Sequence, residues 1–242
     1  MSTVTICGRT DIQLPDIKSK DKNSFLWWTK NHWSHVQVHI AAQFYCLKKL
    51  DEENIKVESV TEYFGGSGFG SALIQNVLKP EHHVIYDLDD ECVEHLEAQP
   101  ILKSTQISKG DAKETMLGKK HFDLRYADFW RMSAYKLLGE WKQQCDSLFS
   151  NNAKAVYMAD TSIWSIYLQK QLFENALGCK IESKKEYLNG YSKKIWDTYG
   201  YRMSFGAYRD FAAMIFVKDQ DYEEPELRHV TVDDGRKTVE LW

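Results

Sequence analysis

Cysteine is sparse and scattered in this chain of 242 residues: Cys7, Cys46, Cys92, Cys145 and Cys179, an odd number with no C-x-x-C pair. That excludes a dense disulfide framework and points to a reducing compartment. No uninterrupted apolar run reaches the length of a bilayer-spanning helix, and the first residues carry no apolar signal core. The expectation is therefore a cytoplasmic protein with no membrane partner. Neither sign of charge dominates: the formal net charge is -4 and the pI is about 6.1. Global attraction to nucleic acid or anionic lipid is thus not written into the composition.

Charge is nonetheless uneven along the chain. Lys18, Lys20, Lys22, Lys30, Lys48 and Lys49 make the N-terminal segment basic, and Lys180, Lys184, Lys185, Lys193, Lys194, Arg202 and Arg209 do the same further on. The segment from Asp219 to Asp234 is acidic. Two readings stand: solvated surface charge, or two basic lips that grip phosphates beside a cleft.

What the sequence does have is a glycine-rich bend at Glu62-Tyr63-Phe64-Gly65-Gly66-Ser67-Gly68-Phe69-Gly70. Val57, Val60, Tyr63 and Phe64 read as a short strand before it, and Ala72, Leu73, Val77 and Leu78 as a helix after it. Glycine permits the sharp turn and the close approach of backbone to a ligand. The helix N-terminus beyond it offers unpaired N–H groups to a polar ligand. A nucleotide-type ligand over the first strand of a doubly wound sheet follows. The spacing excludes a dinucleotide fingerprint, since counting from Gly66 the third glycine position is Ser71. It also excludes a P-loop, since Ser71-Ala72 replaces the required Lys-Ser/Thr.

The remaining pattern, G-x-G-x-G at Gly66, Gly68 and Gly70 preceded by Glu62 and Phe64, resembles motif I of the class I S-adenosylmethionine (SAM) methyltransferases. Glu62-x-Phe64-x-Gly66-x-Gly68 is closest to the E-P-F-x-G-x-G form of DNA adenine methyltransferases, with Tyr63 where that form has proline. The resemblance spans roughly residues 55 to 218. It implies a doubly wound, mostly parallel seven-stranded α/β sheet ending in an antiparallel hairpin, and SAM as cofactor. His82 to Asp87 reads as a second strand, its terminal carboxylate at the spacing of a ribose-binding acid. Cys92, Val93 and Leu96 continue as a helix. Thr105 to Asp111 reads as a third strand whose Asp111 would meet the adenine amino group. Phe122 to Trp130 reads as a fourth, Ala153 to Asp160 as a fifth followed by a helix over Ile163–Leu177. Tyr201–Tyr208 and Phe211–Val217, joined by only Arg209-Asp210, read as the closing hairpin.

The same resemblance assigns the chemistry. Nucleic-acid amino-methyltransferases carry D/N-P-P-Y/F/W after the fourth strand, and this chain has Asp128-Phe129-Trp130-Arg131, with the acid and aromatics but neither proline. Asp128, Phe129 and Trp130 are the expected acceptor-side residues; Phe129 and Trp130 read equally well as adenine-pocket or core packing. No metal and no Ser-His-Asp set is expected, because SAM already carries the activated methyl. Nucleic acid is the leading acceptor, a small metabolite or protein side chain the second, and a catalytically silent SAM-fold partner protein the third. The size and dense Trp and Tyr usage suit a phage or viral enzyme, which would place it in host cytoplasm. Oligomeric state is open.

The flanks are read more simply. Residues 1–52 form an N-terminal extension, 53–219 the SAM-binding domain and 220–242 an acidic tail. That tail reads either as disordered or as strands about Val230–Val232 and Val239–Leu241. Ser24 caps a helix from Phe25 to Leu50 whose Trp33, Val36, Ile40, Phe44 and Leu47 would pack on the sheet. Trp27, Trp28 and Trp33 could otherwise stack a base. His32, His35 and His39 read as solvent-facing. Asp160 reads as a helix cap or a second acid near the cleft. Asn189-Gly190-Tyr191 reads as a tight turn, with Tyr191, Trp196, Tyr199 and Tyr201 either an aromatic wall or packing.

Overall fold

The computed structural model describes residues 2–6, 9–19, 21–128, 141–150, 152–162, 170–208, 211–218, 228–232 and 237–241. Two strands, β1 (Ser2–Ile6) and β2 (Arg9–Leu14), open the chain as an antiparallel hairpin that the polar character of residues 1–24 did not announce. Alternation buries Ile12 and Leu14 while Gln13 stays exposed and exchanges hydrogen bonds with Asn76.

Ser24 caps α1 (Phe25–Asn31), its hydroxyl accepting from the Trp27 N–H at 3.1 Å. The single helix expected over Phe25–Leu50 is broken at His32 (φ -114°, ψ 39°), and α2 (Trp33–Glu52) runs on from there. Val36, Ile40, Phe44 and Leu47 of α2 are buried, the face that the three- and four-residue spacing predicts.

The main sheet contains β3 (Ser59–Tyr63), β4 (His82–Asp87), β5 (Gln106–Lys109), β6 (Leu124–Asp128), β7 (Ala155–Ser162), β8 (Tyr201–Tyr208) and β9 (Phe211–Lys218). Between them lie α3 (Phe69–Val77), α4 (Asp90–Glu97), α5 (Ala112–Thr115), α6 (Lys142–Ser150), α7 (Lys170–Leu177) and α8 (Lys184–Tyr199). These seven strands lie in the order β8-β9-β7-β6-β3-β4-β5. The five from β7 to β5 are parallel, and β9 is antiparallel to both its neighbours. The tail extends this seven-stranded sheet to nine strands among the described residues: β10 (Arg228–Val232) and β11 (Lys237–Leu241) pair with each other, and β11 joins the edge of β8. The strand reading of the tail is the one adopted, with Val230 opposite Val239.

Among the described residues, besides a small core of Ile85, Leu96 and Leu102, two large apolar cores sandwich the sheet. One lies under α2, α3 and the first hairpin; the other gathers α6, α7 and α8 around Tyr63, Met158 and Phe216. Asn189-Gly190-Tyr191 is not a turn but the middle of α8. A Cβ on Gly190 would sit 2.6 Å from Cys179 Sγ, so glycine here admits the segment after α7 against α8. Tyr191 and Tyr201 are fully buried, and the Tyr201 hydroxyl donates to the Ala153 carbonyl at 2.7 Å: these aromatics are packing. Asp160 lies within β7, opposite Ala212 of β9.

Arg125 of β6 is buried in this second core. Its guanidinium donates to the Tyr63 hydroxyl (2.6 Å), the Met116 carbonyl (3.0 Å) and the Ser147 carbonyl. One side chain thereby ties β6 to β3, to the end of α5 and to α6. Removing it leaves a cavity and takes a buried donor from the Tyr63 hydroxyl and from two carbonyls, so Arg125→Ala should cost about 3 kcal/mol of stability. Chemical denaturation reads this directly, and a change under about 0.5 kcal/mol would show the contacts to be idle.

Candidate active site

The chain runs β3 to β4 to β5 toward one edge and β6 to β7 toward the other, so strand order reverses between β3 and β6. In open α/β sheets the crevice at the carboxyl ends of such a pair is where ligands bind. A cavity of about 510 Å³ lies there. Its walls include the glycine bend, Asp87 and Asp89 from the β4 end, Asp128 from the β6 end, and Phe25, Trp28, His39 and Gln43 from the two N-terminal helices.

The bend begins with Phe64, whose φ of 64° is a strained conformation for an aromatic residue. Gly65 follows, its N–H bonded to the Tyr86 carbonyl at 3.2 Å. A Cβ on Gly65 would lie 2.5 Å from Ile85 and 2.9 Å from Leu96, so this fourth glycine, absent from the expected set, is fixed by close packing. Gly66 (φ 51°) and Gly68 (φ 76°) both occupy the left-handed region that favours glycine. Gly68 is the N-cap of α3 and no side chain caps that helix, which leaves its first-turn N–H groups to a ligand. Gly70 lets α3 settle onto β3 and β6: its Cβ would be 3.1 Å from Glu62 Oε1 and from the Tyr126 ring.

Asp87 faces the bend across the strand ends. Its Oδ2 accepts from the Gly66 N–H at 2.7 Å and its Oδ1 from the Asp89 N–H at 2.9 Å. Burial pushes this carboxyl up from the ordinary carboxylate range, and the two backbone donors oppose that shift. Each oxygen retains a second lone pair for a ligand hydroxyl. Asp111 is elsewhere: it caps α5, accepting from the Lys113 N–H at 2.8 Å, and is not among the cavity walls.

Glu62, on β3, is buried against His83. Gln75 donates to His83 Nδ1 at 3.0 Å, which leaves His83 Nε2–H to donate to Glu62 Oε2 at 3.1 Å. Burial raises the Glu62 pKa, and the His83 contact counters it. A carboxyl whose folded pKa lies above its unfolded value lends stability below the unfolded pKa, near ~4.3 for glutamate, and loses it as pH rises through the folded value. Glu62→Gln should therefore melt higher than wild type at neutral pH, the gap closing below about pH 4. Thermal midpoints across pH 3 to 8 test this, and a variant that melts lower throughout would refute it.

Asp128 ends β6, one residue beyond the pairing of Ala127 with Tyr63. His39 Nε2 lies 2.9 Å from its Oδ2, and Gln43 Nε2 donates to the same oxygen at 2.8 Å. His39 is thus not solvent-facing: it is buried and turned inward. With Gln43 it forms an i, i+4 pair on one face of α2. That spacing, two polar residues on the apolar face, was the available signal. Of the other histidines, His32 is half-buried and bonds the Trp28 carbonyl. Trp28 stacks on His32 at 4.6 Å, and Trp33 meets Phe69 edge-on at 5.7 Å. Phe129 and Trp130 lie outside the described residues. Among the described residues no cluster of His, Cys, Asp and Glu suits a metal ion, and no helix is long and apolar enough to cross a membrane. The described residues of the second basic segment do not line the cavity; Lys193 pairs with Asp197 and Arg202 with Glu53.

No protein-family model matches the chain, and no curated protein is a significant match in sequence. Solved structures do match. Magnesium protoporphyrin IX methyltransferase from Synechocystis PCC 6803, with bound SAH, superimposes with a TM-score of 0.54 over 84% of this chain and 90% of its own, at 13% identity. A plantazolicin methyltransferase in complex with a pentazolic desmethylPZN analogue and SAH gives a TM-score of 0.52 over 79% of this chain and 88% of its own, at 11% identity. The fold is that of the class I methyltransferases.

Proposed function

We propose that this chain is a SAM-dependent methyltransferase, with residues 53–219 as its SAM-binding domain and Asp128 as its acceptor-side acid. The observation that carries the reading is the conjunction at the strand-order reversal of an uncapped α3 N-terminus, left-handed Gly66 and Gly68, and Asp87 bonded to the bend at 2.7 Å. The cradle fits an adenosyl amino acid. The bend amides would meet its amino-acid end and Asp87 its ribose hydroxyls, with Asp111 still the candidate for the adenine amino group. Phe64 would pack against the ligand, and Glu62 would offer a charge to an ammonium. Bound SAM would supply a methyl group already activated by a sulfonium. The protein's own work is then to align the acceptor's lone pair with the methyl carbon, so that the new bond forms as the sulfur–methyl bond breaks, and to accept the proton that the acceptor gives up.

For the acceptor we favour a nucleic-acid amino group, supported by the E-x-F-x-G-x-G bend, by the Asp128-Phe129-Trp130 sequence and by the lysines of the N-terminal segment, of which Lys22 lines the cavity. A second reading has an observation of its own. The N-terminal helices roof the cavity, with the Phe25 ring pressed toward Gly66, which suits a small acceptor. Two structural neighbours of the chain are a magnesium protoporphyrin IX methyltransferase and a plantazolicin methyltransferase. A cytoplasmic site of action accords with the sparse and scattered cysteines.

Methyl-labelled SAM, incubated with the chain and separately with unmethylated DNA, total RNA, and a protein and metabolite extract, decides by mass spectrometry. Label in a nucleobase, with transfer that collapses between about 50 and 200 mM salt, supports the first reading. Label confined to the extract supports the second. SAM binding with no label anywhere would make the chain a silent partner protein.

A further inference from the structure

We propose that His39 and Gln43 of α2 are positioning residues that hold one oxygen of Asp128 so that the other is left for an N–H or O–H donor on the acceptor. The inference rests on the SAM reading of the cavity and deepens it. Both side chains are buried, 4% and 1% exposed, and both approach Oδ2, at 2.9 and 2.8 Å. Oδ1 of the same carboxylate is buried and accepts no hydrogen bond among the described residues.

Polar side chains are placed in an apolar helix face only where a partner offsets the desolvation. Here the partner is a single carboxylate oxygen on another element, 89 residues from His39 and 85 from Gln43. Two donors on one oxygen fix the rotamer of Asp128 and leave its second oxygen as the acceptor still to be satisfied. A buried carboxylate oxygen without a donor is costly, so a ligand that brings one is selected.

Position gives the donor its identity. Asp87 and Asp128 end strands that flank β3 on either side, two strand spacings or ~10 Å apart. A ligand with its sugar at Asp87 would extend its sulfonium end across β3 toward Asp128. The group meeting Oδ1 is then the acceptor itself, and a carboxylate oxygen selects an acceptor with an N–H or O–H, an amine or a hydroxyl, over a carbon or a thioether.

A binding experiment tests this without a known acceptor. Sinefungin carries a primary amine where SAM carries its sulfonium methyl, and SAH carries neither. The full chain is titrated calorimetrically with each. Wild type is expected to bind sinefungin at least tenfold more tightly than SAH. His39→Leu and Gln43→Met should each reduce that preference below threefold, and His39→Gln, which keeps an N–H donor, should restore part of it. A preference that persists in both variants overturns the proposal, as does a wild type that binds the two equally. If wild type binds neither compound, the SAM reading fails and this proposal falls with it. Thermal midpoints of the variants confirm that folded protein is compared.

Discussion

Gly68→Val should reduce SAM affinity by more than a hundredfold while leaving most of the sheet intact. Two effects act together. A valine at φ 76° is strained by roughly 1–2 kcal/mol or more, because the left-handed region crowds its Cβ against the following carbonyl. That Cβ would also stand 2.9 Å from Leu96 and 3.3 Å from Pro15, atoms of the packed wall rather than of the open cavity. The bend must therefore rearrange, and the Gly68 N–H bond to the Gly65 carbonyl at 2.8 Å goes with it. The amides that would cradle the amino-acid end of the donor then no longer converge. Asp87→Ala should reach a similar loss by another route, removing the ribose acceptor together with the anchor on the Gly66 N–H. Calorimetry with SAM measures both, and near-normal affinity in both variants would displace the site.

Asp128→Ala should behave in the opposite way, keeping SAM affinity within a few-fold and losing turnover by roughly 10²–10⁴. The side chain sits at the β6 end of the cavity, away from Asp87, and its contacts run to His39 and Gln43 rather than to the bend. Those two residues act through the same carboxylate. The double variant Asp128→Ala with His39→Leu should therefore be no slower than Asp128→Ala alone. Normal turnover in Asp128→Ala would make the carboxylate structural. Additive losses in the double variant would give His39 a role of its own.

Much of the fold was legible because its signals are local. Short apolar runs such as Val84-Ile85-Tyr86 mark the parallel strands, and two long runs with only Arg209-Asp210 between them mark the closing hairpin. The glycine bend and Asp87 were legible for the same reason, since spacing along the chain fixes their relation. What escaped depends on distant partners. Asn189-Gly190-Tyr191 has turn chemistry, but packing against Cys179 and Leu177 holds it in α8. His39 stands on the apolar face of α2, and its contact with Asp128 shows why a histidine is buried there. The tail strands were one of two readings of the tail, and the pairing of β11 with β8 is what the tail sequence alone does not encode. Gly65 stood beside the recognised glycines, but its need for glycine comes from Ile85 and Leu96.

A crystal of the full chain grown with saturating SAM tests the central claim most directly. The sugar hydroxyls should lie within hydrogen-bond distance of Asp87 and the methionine end should rest on the amides between Gly66 and Gly70. A cavity without SAM under those conditions, or SAM bound at some other place on the molecule, would contradict it.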